Sequence, residues 1–346
     1  MKRDLTVRIL IGALIVLLLA GPLLPRWAMF LINVSLCYGL VVLGMMLLMR
    51  TGLVSFGHGL YYCLGAYAAA AHEKLANLLG DIGDSSSSAL IRGLLRLPKL
   101  LVDSLTMIFG PYDLVVMIGF SIVITGITAW ILGFLLRKYR DIFFAMLSLA
   151  FSMILYGLLV KTSALGSSDG FNVAAKTLFG IRIAGTEFER YVIFAITVVT
   201  AFVAAICIHW YRGSHRGRLA EAIRDNELRV EYMGASVANT VHINYVMSAV
   251  LAGLGGALAA ISVGHIDPEM AYWTTSGEFV FVAILAGTGN VLAPFLGAFI
   301  FETIRSFAYE YSPNTWQMAL GISMLIVIMF LPGGLWSLFT RTRKTA

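Results

Sequence analysis

Apolar residues in this chain run in blocks of about twenty, the length of helix that crosses a bilayer, and short polar stretches separate them. Blocks at 7–24, 29–49, 55–71, 113–136, 142–160, 191–210 and 241–263 each predict one spanning helix. The apolar region 278–309 is broken by Gly287-Thr-Gly-Asn-Val-Leu-Ala-Pro294, which predicts two short helices meeting at a Gly/Pro turn. A last block covers 316–336. The pattern predicts an all-α polytopic membrane protein, one transmembrane domain over 1–346 with about ten crossings. The N-terminal block follows Lys2 and Arg3 and lacks a small-x-small cleavage site, so it reads as a retained first span.

Three polar interruptions exceed what a turn requires. Segment 72–112 holds the Ser85–Ser88 tract, a flexible linker by composition. Arg92, Arg96, Lys99 and Asp103 follow at helical spacing and predict a helix lying in the interface or packed on the bundle, with Pro98 kinking or ending it. Segment 161–190 carries Gly166-Ser-Ser-Asp-Gly170, and segment 211–240 is densely charged. Lys and Arg in the short loops fall mainly on the side of Arg50, Arg137–Arg140 and Arg212–Arg229. By the positive-inside rule both termini and segment 211–240 are cytoplasmic. Trp27, Trp273 and Trp316 then fall at the outer interface, and Trp210 and Trp336 at the inner one.

Composition agrees: 59% of the 346 residues are hydrophobic and 13% charged, which is membrane-protein usage. The net charge of +6 is explained by topology and implies no nucleic-acid partner. Cys37, Cys63 and Cys207 lie apart in apolar runs and read as buried small hydrophobes, not a disulfide framework or metal site. The six histidines have no ligand spacing, and no phosphate-binding loop, dinucleotide fingerprint, nucleophile elbow or zinc pair occurs. The sequence implies no cofactor, no metal and no enzymatic activity. Gly253-Leu-Gly-Gly256 predicts close helix packing. Glu302 and Arg305, three apart, neutralise each other, whereas Glu278 falls near the outer end of its span and reads as solvated.

The charged island Gly217–Gly234 predicts a surface helix. Asp225 with Arg229 and Glu221 with Arg224 have pairing spacings, and Leu219, Ile223 and Val230 form an apolar stripe suited to a groove on a soluble partner. A solvated topological anchor fits the charge equally well.

The order of residues in Gly217-Arg-Leu…Ala222-Ile-Arg-Asp-Asn-Glu227…Met233-Gly234 resembles the cytoplasmic loop of the branched-chain amino-acid ABC transporter permease family, of the LivM type. Four further blocks resemble that family in the same order. They are Ser55-Phe-Gly-His-Gly59 with Leu64-Gly-Ala-Tyr67, Gly166–Phe171, Leu285–Gly297, and Leu331-Pro-Gly-Gly-Leu335. Together they cover nearly the whole chain from Leu31. The chain departs from the family in the long Ser-rich segment 72–112 and at Asn290-Val-Leu-Ala.

The resemblance implies an ABC importer permease fold in a bacterial inner membrane. It implies partnership with a second permease, two cytoplasmic ATP-binding subunits and a periplasmic binding protein. The cargo is a branched-chain amino acid, with urea or short amides as the alternative. An ATP-independent carrier or channel would need membrane-embedded coupling carboxylates and no docking helix. The resemblance makes Arg218, Glu221, Ala222, Arg224, Asp225, Asn226 and Glu227 a coupling helix seated on an ATPase, with Gly234 ending it. Breaks in helices expose backbone groups that can meet a polar solute. Ser55, Gly57, His58 and Gly59, and Gly287, Gly289, Asn290 and Pro294, are the candidate pathway residues, expected toward the cytoplasmic side. A neutral His58 bonded at a helix start is the alternative role for that residue.

Overall fold

The computed structural model describes residues 2–71, 113–173, 177–178, 181–182, 187–311, 313, 315–330 and 334–337. The Ser-rich segment with its expected helix, the C-terminal basic residues and part of segment 161–190 lie outside the described residues. Helix α1 spans Lys2–Ala20, α2 Arg26–Met49, α3 His58–Ala70, α4 Leu114–Leu136, α5 Asp141–Lys161 and α6 Glu187–Arg212. Helices α7 (His215–Asp225) and α8 (Glu227–Tyr232) precede α9 (Val237–Val263), α10 (Trp273–Ala286), α11 (Ala293–Tyr311) and α12 (Trp316–Phe330).

Every apolar block contains a helix, but the helices are unequal. Among the described residues six, namely α1, α2, α4, α5, α6 and α9, are long and apolar enough to cross a membrane alone. Helices α3, α10 and α12 have 13, 14 and 15 residues. At 1.5 Å per residue they reach about 20 Å, short of a hydrocarbon core of about 30 Å. The described residues thus hold six full-length helices accompanied by shorter or charge-bearing ones, the pair α10 and α11 among them as the broken apolar region predicts.

Helix α9 is the axis of the bundle and packs on α2, α3 and α4. Its small residues permit this. A Cβ on Gly253 would strike Thr125 of α4, one on Gly255 the Cys37 carbonyl of α2, and one on Gly256 the Tyr62 carbonyl of α3. Lipid is as apolar as a helix surface, so such close approach is what favours association there. Gly256→Val should overpack the α3–α9 contact at a cost of about 1–3 kcal/mol. The detergent-solubilised variant should melt lower than wild type; an unchanged melting temperature would refute the contact. Cys37 and Cys63 are buried as expected, whereas Cys207 is exposed on the outward side of α6.

Two of the short helices begin inside the bundle. Segment 51–57 rises until Gly57 abuts Ser148 of α5, and His58 Nε2 is hydrogen-bonded to Ser248 Oγ, near the middle of α9, at 2.6 Å. After α9, the turn Pro268–Ala271 descends to mid-bundle, where Ser152 of α5 donates to the Ala271 carbonyl at 2.7 Å. The starts of α3 and α10 meet there, the Gly59 N–H donating to Ser276 Oγ at 3.0 Å. The Ser55–Gly59 turn therefore lies at mid-depth, deeper than the sequence suggests.

The two ends of the bundle differ. One carries α7 and α8 and is strongly charged. At the other, strand β1 (Phe171–Asn172) pairs antiparallel with β4 (His265–Ile266), while β2 (Thr177–Leu178) and β3 (Ile181–Arg182) form a separate hairpin.

Candidate functional site

Helix α7 starts where Ser214 Oγ accepts the Gly217 N–H at 3.3 Å, and it ends at Asp225. Asn226 is extended (φ −165°, ψ 104°), and its side-chain oxygen accepts the Arg229 N–H at 2.9 Å, opening α8. Short polar side chains favour this N-cap role because they satisfy an N–H that has no partner within the helix. The single helix expected over the island is thus two, and Asp225 and Arg229 lie on opposite sides of the break. Asp225 stands 3.7 Å from Arg224 instead. Gly234 follows the end of α8 at φ +82°, a left-handed conformation that glycine adopts without steric cost.

Two acids of the island, Glu221 and Glu227, pair away from it. Glu221 forms an ion pair with Arg50, just beyond α2, instead of with Arg224. Glu227 accepts from Arg140 Nε at 2.6 Å, and Arg140 also donates to the Arg137 and Tyr139 carbonyls before α5. Only 8% of the Arg50 side chain is exposed. Burial, and secondarily the like charge of Arg224, hold its guanidinium pKa below the usual arginine range. Glu221 supplies the counter-charge that a buried cation requires.

The apolar stripe faces inward. Ile223 and Val230 are fully buried and Leu219 partly so, all against the main core. The stripe fixes the helix pair to its own bundle and is not free for a partner's groove. Arg218, Arg224, Asp225, Asn226 and Gly234 are exposed, and Ala222 is half-buried. Beside them stand Leu228, 66% exposed, Tyr232, 90%, and Met233, 66%. These three apolar residues were not singled out from the sequence. The signal available was their position off the stripe that carries Ile223 and Val230.

The structure divides the expected pathway residues into two places. Ser55, Gly57, His58 and Gly59 converge at mid-bundle, where Ser55 and His58 are fully enclosed. Gly287, Gly289, Asn290 and Pro294 form the turn between α10 and α11 at the charged end. There Asn290 Oδ1 accepts the Leu292 N–H at 3.3 Å, the Gly289 carbonyl accepts from Arg212 at 3.2 Å, and Pro294 is buried.

A second constellation was only half legible. Arg305 lies within α11, half-buried, instead of in an outer loop. It donates to Tyr38 Oη at 2.9 Å and to Glu302 Oε1 at 3.3 Å. Glu278 of α10, expected to be solvated, stands 3.6 Å from the same nitrogen with 20% of its side chain exposed. Among the described residues, no group of three or more His, Cys, Asp or Glu side chains could hold a metal ion.

Residues 28–329 match the family model described as branched-chain amino acid transport system / permease component. The high-affinity branched-chain amino acid transport system permease protein LivM of Escherichia coli is 22% identical, over 95% of this chain and 74% of LivM. The LivH permease protein of Salmonella typhimurium is 21% identical over 49% of this chain and 51% of its own length. The corresponding BraD protein of Pseudomonas aeruginosa is 22% identical over 43% and 48%. No solved structure matches the chain.

Proposed function

The chain belongs to the branched-chain amino acid transport system / permease component family, and from that premise we propose that it is the membrane-spanning subunit of an ATP-binding cassette importer of branched-chain amino acids. The match over 28–329 carries this reading. The multi-pass fold supports it, with a charged helix pair projecting at one end. The charged end faces the cytoplasm of a bacterial inner membrane. A second homologous permease completes the membrane unit, two ATP-binding subunits hydrolyse ATP, and a periplasmic binding protein delivers the amino acid. This subunit catalyses no reaction of its own.

In this reading the outward face of α7 and α8 receives an ATP-binding subunit. Arg218, Arg224, Asp225 and Asn226 supply charge and hydrogen bonds. Tyr232, with Leu228 and Met233, supplies the apolar anchor that protein interfaces need near their centre. Glu221 and Glu227 act as positioning residues, holding the helix pair to Arg50 and Arg140. Ala222 keeps the packed side slim, and Gly234 ends the unit. Ser55–Gly59 and the Gly287–Pro294 turn border the moving parts of the pathway.

The test is ATP-driven uptake of leucine by the full transporter in proteoliposomes. Uptake that persists without ATP, or that admits urea and not leucine, would overturn the reading. Tyr232→Ala should weaken capture of the ATP-binding subunit about thirtyfold, the loss of a hot spot worth about 2 kcal/mol. Co-purification at graded subunit concentrations reads it, and unchanged capture would remove α8 from the interface.

A further inference from the structure

A groove of about 1370 Å³ runs down the bundle between α5, α10 and α12. Its upper wall is Leu149, Trp273 and Trp316, and its lower part reaches Ile142, Phe56 and Met329 toward the charged end. It is larger than the roughly 300–1,000 Å³ of a closed small-ligand pocket, as suits a passage open along one side. The lining is almost wholly apolar, with Glu278 as the charged residue on its wall. That carboxylate belongs to a cluster with a charge imbalance. Glu278 and Glu302 share Arg305, the cation in contact with both among the described residues, and Arg305 also donates to Tyr38 Oη. With both acids ionised, two negative charges face one positive charge. Glu302 is the more enclosed partner, with 11% of its side chain exposed, and Glu278, with 20%, is the carboxylate of the cluster that lines the groove.

An ionisable group at membrane depth costs free energy unless it is compensated, and one kept there marks a solute pathway by default. The solute that compensates this one must carry a positive group, and its remainder must suit aromatic and aliphatic walls. We propose that the groove is this subunit's part of the translocation pathway for an α-amino acid with an apolar side chain, and that Glu278 receives the α-ammonium group. This rests on the transport reading above. The side chain of the solute would lie against Trp273, Trp316 and Met146, and Arg305 stays behind Trp316, its guanidinium carbon 5.7 Å from the ring centre. The amino acid leaves toward the charged end, where the groove opens at Ile142 and Met329. The second permease closes the open side.

The test uses the assembled transporter in proteoliposomes, with Cys207 replaced by Ser and one reporter cysteine, Gly321→Cys. A Cβ at Gly321 meets nothing within 4 Å, so the reporter fits on the groove wall. A membrane-impermeant thiol reagent should label it, and leucine should slow the labelling. 4-Methyl-2-hydroxypentanoate, which replaces the ammonium by a hydroxyl, should not. Glu278→Gln should remove the protection and lower leucine uptake about ten- to hundredfold, the effect of losing a hydrogen bond to a charged group. Glu278→Asp should retain much of both. Should Glu278→Gln fail to accumulate, the leucine against hydroxy-acid comparison on the reporter decides alone. Equal protection by the two solutes, or an unreactive reporter in a transporter that takes up leucine, would overturn the site and leave the family function standing. No leucine uptake by the wild-type transporter would overturn both.

Discussion

Arg50→Glu should abolish ATP-driven uptake, and adding Glu221→Arg in the same chain should restore a substantial part of it. Arg50 is almost entirely buried beneath α7, and Glu221 is its counter-ion. Removing one member of a fully buried pair costs about 3–5 kcal/mol, and solvent screening at the half-exposed Glu221 reduces that cost here. Reversal adds repulsion to that loss. Half of the Glu221 side chain is exposed, so the exchanged pair has water to relax into, which makes partial rescue the expected outcome. The double-mutant cycle isolates the pair from the separate worth of each residue. Uptake per assembled transporter is the readout. Two single reversals that transport normally, or a double variant no better than the worse single, would show that the pair does not hold α7 in place.

The largest loss of stability should come from Arg305→Met. The change keeps an apolar stem but removes the only cation in contact with Glu278 and Glu302 among the described residues. Two neighbouring carboxylates would then share a membrane-embedded site without a counter-charge, at a cost of about 3–5 kcal/mol. The variant should accumulate poorly in the membrane and melt well below wild type in detergent. Glu302→Gln in the same chain should recover part of the deficit, since one of the two charges is then gone. A variant with native abundance and melting temperature would mean that the cluster is already neutral by protonation, and the charge argument would fail.

What was legible in the sequence follows from what the bilayer dictates. Hydrocarbon thickness sets block length, so each apolar block could be recognised as a helix. Which side of a span faces lipid could not, because lipid and bundle interior are equally apolar. Cys207, outward on α6, shows this. Depth was also hidden. The turn at Ser55–Gly59 and the chain before Trp273 penetrate to mid-bundle through contacts with Ser148, Ser152 and Ser248, residues far away in sequence.

Locally, the break at Asn226 was readable. Asn followed by Glu at the first helical position is an N-terminus signal. The i, i+4 spacing of Asp225 and Arg229 ran across it and concealed it. The Glu302–Arg305 contact was legible because it is local. Glu278 and Tyr38 join it from other helices, and one chain read by itself carries no mark of that meeting.

The short pairing of β1 with β4 bears on how the protein is made. It fastens Asn172 to a residue 93 positions later, and the His265 ring is hydrogen-bonded to the Asn172 side chain at 2.9 Å. Between the two strands come α6, α7, α8 and α9. The fastening therefore cannot close during synthesis until α6 has crossed the membrane and α9 has returned beside α2 and α3. Contacts of such sequence separation form late, since the intervening chain must first be ordered. Gly170 lies so near the Ile266 carbonyl that a side chain there would collide with it, so the closed form admits no looser packing at that residue. Proteolytic sensitivity at 166–172 should thus fall sharply once the ninth helix is in place, which makes this segment a natural timer for completed insertion.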